Sequence, residues 1–430
     1  MALVSSRLKR VLDEASDYSI VKSAASSVSS VVRNNRTKEV SSGSSCSYFV
    51  RLWKGKKFVS AEMASLDEKN LRRSVRLLRS APELEFFYGL PPGQKARAMK
   101  CFDAELAEQG KDVVLEDASG MIELVRESRF GKGLDVRVTF GHSGVSVNEF
   151  EIETSEGLHN IFRSTYYGSS VSITAGSNGK KSSSWESIES GSLVGTRKKE
   201  NVWRNALMRS LEGLNRKRVK RLPKVVVLSP NVASELLEYA FLPNFRLDMI
   251  RDRAGRYALG NFSSGERIFD SNLRIVDNPL KKSGINSYPF DYDGSRSKKV
   301  DLVKDGSLKG VVSDYNTSKR FGVENNGHAG RSSIEFSNIE VSGKNVEVDD
   351  FILVESVIGS HTSNSATTEF SVLSDSAVLI RKGERVPLEP FMMFGRMEDI
   401  LKSAGFYGKR ETRSGITMKG LVTDRIRLSH

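Results

Sequence analysis

Cysteine, histidine and long apolar runs are scarce in this sequence of 430 residues. Its two cysteines, Cys46 and Cys101, are too few for a disulfide framework or a four-thiolate metal site, which agrees with a reducing compartment. No stretch approaches the roughly 18 apolar residues that a membrane helix needs. The amino-terminal segment is charged at Arg7, Lys9 and Arg10 and has no apolar stretch typical of a secretory signal. We therefore expect a soluble protein of the cytoplasm.

The few histidines and cysteines also restrict the chemistry. Zinc sites borne on a helix place two histidines on one face and a third donor nearby, but no two of the five histidines are within reach along one helix: His142, His159, His328, His361 and His430. A site assembled from distant loops stays open. Cys46 lies in a predicted strand and Cys101 on the apolar side of a predicted helix, so both are expected to be small core residues rather than nucleophiles.

Acidic residues are outnumbered, with 66 Lys and Arg against 53 Asp and Glu and a formal net charge of +13. The densest basic cluster spans 215–224 and holds six Lys or Arg residues, which could bind nucleic-acid phosphates through 216–224. No aromatic residue is interleaved for base stacking, and no nucleic-acid-binding signature accompanies the cluster. A solvated segment between domains is the favoured interpretation, and nucleic-acid binding is the alternative.

A short amphipathic helix is predicted over 8–16, and two longer helices follow before residue 111. Ser65 and Glu68 form a capping box that starts the first of the longer helices, and Pro82 ends it. The second spans 93–110 and stops at Gly110. Its apolar positions are Met99, Phe102 and Leu106.

From about residue 113 to 174 the apolar period becomes two, which predicts strands. Residues 134–154 alternate on both sides of Gly141 and Gly144, which predicts a long antiparallel hairpin turning there, and a shorter hairpin turns near Gly55. The Ser- and Gly-rich stretch 175–192 is expected to be a loop or a weak edge strand. A helix over 200–214 then completes the first half.

The second half begins with a buried strand over 225–228 that runs into a helix, with Ser229 as its N-cap and Pro230 at its first position. Short strands then follow at a spacing of roughly 8–12 residues, which suggests a barrel-like or sandwich domain. Asp305 and Gly306 supply one hairpin turn. The last strand, near 416–424, is expected at an edge.

Two polar clusters could carry chemistry. Asp291 and Asp293 lie beside Gly294, where they could act as acid and base or hold calcium. An Asp-rich segment of this kind more commonly forms a turn. The segment 358–372 gathers hydrogen-bonding side chains between two strands, namely His361, Thr362, Asn364, Thr367 and Thr368. This composition suits binding a peptide backbone and suits a solvated loop about equally well.

Five segments, in this order along the chain, resemble the TldD/PmbA family, whose members were labelled modulators of DNA gyrase and are understood as metalloprotease components. They are 226–241, 260–279, 289–322, 326–331 and 358–372. The stretch 40–78 is also similar to the family's amino-terminal module, and the match covers most of the chain. The resemblance implies an α+β protein: an N-terminal α/β domain with a long curved antiparallel sheet flanked by helices, then a β-rich barrel-like C-terminal domain.

Together with the residue patterns, the family resemblance predicts two domains, at 1–220 and 221–430. The first divides into a strand-pair and helix module, 1–110, and long hairpin strands with a helix, 111–220.

The family has two kinds of member, which differ on the helix after the first strand of the second half. TldD-like members carry His-Glu-x-x-x-His there and a further Cys ligand near the C-terminus. An approximate alignment puts Glu238, Tyr239 and Pro243 at the three motif positions, and no Cys follows Cys101. The segment around His361 instead resembles TldE or PmbA, whose pattern is present as His361, Thr362, Asn364, Phe370 and Ser371.

The resemblance therefore implies a non-catalytic subunit with no metal ligand, catalytic residue or cofactor of its own. It would form a heterodimer, or a higher assembly, with a TldD-like chain that holds zinc and cuts small or unfolded polypeptides. The residues expected at the substrate cleft or partner interface are Glu238, Asp291, Asp293, His361, Thr362 and Asn364. The alternatives are an autonomous hydrolase using Asp291, Asp293 and His361, or a nucleic-acid-binding protein using 216–224.

Overall fold

The computed structural model describes residues 3–128, 133–219 and 221–429. The first part of the chain builds a six-stranded sheet with five helices. Its strands are β1 Asp17–Arg33, β2 Arg36–Lys54, β3 Lys57–Met63, β4 Leu134–Thr154, β5 His159–Ser177 and β6 Lys180–Ser190. The helices are α1 Ser6–Leu12, α2 Glu68–Leu78, α3 Ala104–Glu127, α4 Leu193–Thr196 and α5 Lys199–Glu212.

This sheet is antiparallel throughout and curled, in the order β3-β2-β1-β4-β5-β6. Alternate residues of β5 are buried, as expected for a strand with one face on a core. Helices α3 and α5 cover that face, where Trp203 is 2% exposed and packs with Val138, Val171 and Ile173. The opposite face stays open to the cavities described below.

The second part of the chain is rich in short strands that form a twelve-stranded sheet. They are β7 Val226–Leu228, β8 Arg274–Asp277, β9 Val300–Lys304, β10 Ser307–Leu308, β11 Ile339–Ser342, β12 Asp350–Ile358, β13 Glu369–Arg381, β14 Glu384–Pro387, β15 Met392–Arg396, β16 Gly405–Arg413, β17 Ile416–Thr423 and β18 Arg427–Ser429. The helices here are α6 Pro230–Leu236, α7 Leu247–Arg251, α8 Leu259–Ser263, α9 Tyr315–Phe321 and α10 Met397–Leu401.

The predicted fold class is confirmed: a curled antiparallel sheet with helices precedes a strand-rich region. The turns near Gly55 and at Asp305-Gly306 are also as predicted, each with a positive φ. The expected domain boundary at residue 220 stays a prediction.

The predicted hairpin over 134–154 is wrong, because these residues form the single strand β4. β4 pairs with β1 on one side and β5 on the other, so its backbone groups are satisfied without a turn. A glycine is needed at position 141 for a steric reason, because an added Cβ would lie 2.6 Å from Met121 Sδ of α3. The glycine marks a close approach between helix and sheet.

The helix predicted over 93–110 is shifted in the structure. α3 begins at Ala104, where the Asp103 carboxylate accepts a hydrogen bond from Leu106 N at 3.1 Å, and it continues through Gly110 to Glu127. Its second half therefore occupies residues that were predicted to start the strands. Cys101 precedes the helix but is buried as expected, with Sγ 3.6 Å from Ser287 O.

Three smaller expectations are also corrected. Asp67, not Ser65, caps α2, because the Asp67 carboxylate accepts from Asn70 N at 2.9 Å. Cys46 is exposed on β2 rather than part of a core. The strand near 416–424 is not an edge, since β17 lies between β11 and β7 and also pairs with β16.

Candidate functional site

A cavity of about 270 Å³ lies where the edge strand β6 of the first sheet faces α6, and we call it the α6 cavity. β6 contributes Trp185, Ser187, Ile188 and Glu189; α6 and the turn after it contribute Asn231, Ser234, Glu235, Glu238 and Tyr239; the segment 360–361 contributes Ser360 and His361; and β16 with the turn after it contributes Thr412, Arg413 and Ser414. Four chain segments that are remote in sequence therefore converge on one site.

The strand-to-helix unit that the sequence predicted forms one wall of this cavity. β7 is fully buried, and Ser229 caps α6 by accepting from Val232 N at 3.3 Å. After Leu236 the helix widens into a π turn, Leu237–Phe241, and then tightens into a 3₁₀ turn that contains Pro243. Pro243 has no N–H to continue the regular helical pattern. The π turn buries Leu237, Ala240 and Phe241 and leaves Glu238 and Tyr239 exposed at the cavity.

Three carboxylates meet in the α6 cavity. Glu235 accepts hydrogen bonds from Asn231 Nδ2 and Ser360 Oγ, both at 2.9 Å, and Glu189 accepts one from the Tyr166 hydroxyl at 2.7 Å. Glu238 has no hydrogen bond or ion pair with any described residue. Burial raises the pKa of Glu235, and partial desolvation followed by the charges of Glu235 and Glu189 raises the pKa of Glu238.

Arg413 supplies the cavity's guanidinium, but its charge is already compensated. Nη1 donates to Ser187 O at 2.5 Å and lies 3.4 Å from a Glu186 oxygen, and Nη2 lies 3.0 Å from Glu411. Its Nε is buried without a partner in the described part of the chain, and so is the hydroxyl of Ser234. The cavity therefore carries negative charge together with two unsatisfied polar groups.

A larger cavity of about 530 Å³ adjoins the α6 cavity over the open face of the first sheet. It shares Trp185, Glu189 and Ser414 with the α6 cavity and extends across β1, β4 and β5, past His142 and Tyr166. Because they share lining residues, we call the two cavities together the groove.

The residues predicted for the site lie at three different places in the structure. Glu238 and His361 both line the α6 cavity. Thr362 and Asn364 line a separate open pocket of about 630 Å³. There the Asn364 side chain accepts from Ala366 N at 2.9 Å and the Thr362 hydroxyl donates to Gly359 O at 2.7 Å, so both shape their own loop.

Asp291 and Asp293 lie elsewhere and build a turn. Asp291 is 3% exposed and accepts from the backbone N–H groups of Asp293, Ser295 and Ala329 at 2.8–3.0 Å. Asp293 binds Arg51 Nη1 of β2 at 2.7 Å and lines a cavity different from that of His361. Within residues 3–128, 133–219 and 221–429 no cluster of three His, Cys, Asp or Glu side chains suits a metal ion.

The basic segment 216–224 connects α5 to β7 and is partly built into the fold. Arg216 donates to Asp375 O at 2.7 Å, and the backbone of Lys217 exchanges hydrogen bonds with Pro387 and Glu389. Lys220, which belongs to this predicted segment, lies outside the described residues, as does His430 among the histidines. The contacts favour a connecting segment over a free basic arm.

Several residues of the α6 cavity were missed in the sequence: Trp185, Glu189, Ser234, Glu235 and Arg413. Glu235 could have been found from the sequence, because residues three apart on a helix lie on the same face and Glu238 was already a candidate. The others come from strands whose approach to α6 depends on the whole fold, so their local sequence held no signal.

Comparisons with known proteins agree with this architecture. Residues 224–428 match the family described as the PmbA/TldA metallopeptidase C-terminal domain. Metalloprotease PmbA of Escherichia coli O157:H7 is 21% identical over 312 residues, covering 69% of this chain and 66% of that protein. An uncharacterised protein of Methanocaldococcus jannaschii is 24% identical over 364 residues, covering 83% of this chain and 82% of that one.

Solved structures share the fold over almost the whole length. TldE from Thermococcus kodakarensis superposes with a TM-score of 0.88 at 19% identity, covering 98% of both chains. A putative modulator of a DNA gyrase from Thermotoga maritima superposes with a TM-score of 0.86 at 16% identity, covering 98% of this chain and 99% of that one. The family match over residues 224–428, the curated relatives and the shared fold together support the TldD/PmbA family of metallopeptidase-like proteins for this chain. Among the described residues, no helix is both long and apolar enough to cross a membrane.

Proposed function

We propose that this chain is a non-catalytic subunit of a cytoplasmic TldD/TldE-type zinc metalloprotease. It pairs with a TldD-like chain, which holds the zinc, and contributes a wall of the cleft that admits small or unfolded polypeptides. The observation that carries the proposal is the π turn after α6. It places the exposed Glu238 and Tyr239 in a cavity where no three described His, Cys, Asp or Glu side chains are grouped to hold a metal ion.

The side chains at the motif positions support this proposal. A hydrolytic zinc site needs about three protein ligands and an open position for water. In this chain the approximate motif positions hold Glu238, Tyr239 and Pro243, and proline has no side-chain donor atom. His361 stands across the same cavity, but Glu235 is already engaged by Asn231 and Ser360.

The groove supports a role in holding polypeptide. It joins the α6 cavity to the open face of the first sheet, and hydroxyl groups of β1, β4, β5 and β6 line it together with Trp185 and Tyr166. Hydroxyls can donate to and accept from main-chain amides of any sequence. Such a surface suits an extended substrate of varied composition.

Co-purification tests the proposal. The tagged chain is expressed alone and beside a TldD-like chain of the same genome, and the mass, the zinc content and the protease activity of each eluate are measured. We expect a one-to-one complex that contains zinc and is active only when both chains are present. A pure chain that binds one zinc tightly and cuts peptides without a partner would refute the proposal.

Neither alternative gains support from the geometry. An autonomous hydrolase would need Asp291 or Asp293 beside His361, but these residues line different cavities or are buried in a turn. It predicts that Asp293→Asn or His361→Ala abolishes activity of the isolated chain. A nucleic-acid role for 216–224 predicts a log-log salt slope of roughly −5 for about six phosphate contacts.

A further inference from the structure

We propose that the α6 cavity binds one cationic side chain, a lysine or an arginine, of the polypeptide in the groove, between the carboxylates of Glu189, Glu235 and Glu238 and the rings of Trp185 and Tyr239. This inference rests on the proposed function only in taking a polypeptide as the ligand. It adds that the α6 cavity prefers a positively charged side chain of that polypeptide.

The charge of the cavity is the first argument. Glu189 comes from β6, whereas Glu235 and Glu238 come from α6 and its π turn, so the fold brings like charges together from remote segments. Among the described residues that line the cavity, Arg413 alone carries a guanidinium, and it pairs with Glu186 and Glu411. Like charges in a partly desolvated site repel each other, and a bound cation relieves that repulsion.

The unsatisfied polar groups are an independent argument. Ser234 lines the cavity and is 2% exposed, yet its hydroxyl has no hydrogen-bond partner among the described residues. Buried polar groups in native proteins are normally hydrogen-bonded, and the exceptions indicate water or a ligand. The Ser234 hydroxyl and the Arg413 Nε have almost no accessible surface, so each would meet a ligand only after a side-chain rotation. The hydroxyl could then accept from an ammonium or guanidinium, and Nε could donate to a peptide carbonyl oxygen.

The rim of the cavity matches the rest of a basic side chain. Trp185 is 55% exposed and Tyr239 is 40% exposed, and both line the opening. Aromatic faces attract cations within about 6 Å, and the methylene stem of lysine or arginine packs on apolar surface. A volume of about 270 Å³ is below the roughly 300–1,000 Å³ typical of whole-ligand pockets, so it suits a single side chain.

Peptide binding tests this inference. The probes are two fluorescent peptides with blocked ends that differ at one central residue, lysine in one and acetyl-lysine in the other. Their affinities are measured by anisotropy for the full chain alone and for its complex with the TldD-like chain. We expect the lysine peptide to bind at least about tenfold more tightly than the acetyl-lysine peptide, because the loss of one charge-assisted hydrogen bond weakens binding by about that factor.

Variants then locate the effect. Glu238→Gln and Glu235→Gln should each lower the affinity for the lysine peptide severalfold and leave the acetyl-lysine peptide unchanged. Glu384→Gln removes the same charge from the exposed β14 and serves as the control. Equal binding of the two peptides in both preparations, or a loss caused equally by Glu384→Gln, would overturn the inference. An intact, active complex without charge preference would leave the proposed function standing.

Discussion

Asp314 is a half-buried carboxyl with an unusual proton affinity. It caps α9 by accepting from Thr317 N at 2.6 Å, and it shares a cavity with Asp293. Burial and then the charge of Asp293 raise its pKa to about 6 from the ordinary 3.8, although the bonds from Thr317 oppose the shift. The folded protein therefore favours the protonated carboxyl.

This shift predicts a pH-dependent effect of Asp314→Asn. A pKa raised on folding stabilises the fold fully below the unfolded value of 3.8, and the contribution is lost as pH rises through about 6. Asparagine cannot ionise and caps a helix as well as aspartate. We expect the stability of the variant relative to the wild type to rise by up to about 3 kcal/mol between pH ~4 and pH ~7, measured by urea unfolding.

The control for this measurement is Asp349→Asn. Asp349 is exposed, so this substitution should change stability by less than about 0.5 kcal/mol at either pH. If Asp314→Asn also shows a constant difference, Asp314 is ionised in the fold at an ordinary pKa and burial does not control it.

Among the elements, α3 shows how a helix can pack unusually close to a sheet. Gly110 of α3 faces β4, where an added Cβ would lie 3.0 Å from Val145 Cγ1. Gly141 on β4 makes the reciprocal approach beside Met121. Glycines at these positions remove side-chain bulk from the helix and sheet surfaces.

Gly110→Val should therefore destabilise the protein by overpacking. The new branched side chain has to displace Val145, and such insertions cost about 1–3 kcal/mol. Ser119→Val puts the same residue on the exposed face of α3 and should change stability by less than about 0.5 kcal/mol. Urea midpoints compare the two, and equal effects would mean that the contact at Gly110 yields without strain.

Elements with complete local signals were predictable from the sequence. Ser229 and Pro230 start α6 as expected, and Asp305 with Gly306 turns the β9–β10 hairpin. Gly141 misled the prediction because a glycine needed for a close approach looks the same as one needed for a turn. Gly110 was misread for the same reason.

The site was less predictable than the fold. Glu238 and His361 were identified and share one cavity, but the π turn that exposes Glu238 depends on how the helix packs rather than on any residue preference. Glu189 and Arg413 reach the cavity only because β6 and β16 approach α6. A single sequence contains no record of that approach.

At the scale of the whole molecule, ion pairs join the first sheet to the strand-rich part. Arg51 of β2 binds Asp293 at 2.7 Å, Tyr292 O at 2.5 Å and Ser19 Oγ at 3.0 Å, and it is 8% exposed. A second network links Glu186 and Arg209 of the first part to Glu355 of β12. The two parts are therefore held by buried charges as well as by apolar contact.

Arg51→Met should lower the free energy of unfolding by about 3–5 kcal/mol, because it leaves the Asp293 carboxylate buried without its partner. Arg331→Met breaks another pair between the two parts, with Glu62 at 2.6 Å, but both of those side chains are about half exposed. That loss should be about 1 kcal/mol. Denaturant unfolding measures both, and similar losses would show that the Arg51 pair contributes no more than a surface pair.

The strand order of the first sheet has a consequence for how the nascent chain folds. β1 joins β2 through a tight turn and β4 joins β5 through a short one, so both ribbons form from near neighbours. The seam between the ribbons joins β1 to β4, where Lys22 and Glu149 lie 127 residues apart. Closing so large a loop is slow compared with forming a hairpin. The β1–β2 ribbon therefore leaves the ribosome with one long edge whose backbone groups are unpaired. The serines along β1 help to keep that edge hydrated until β4 is synthesised.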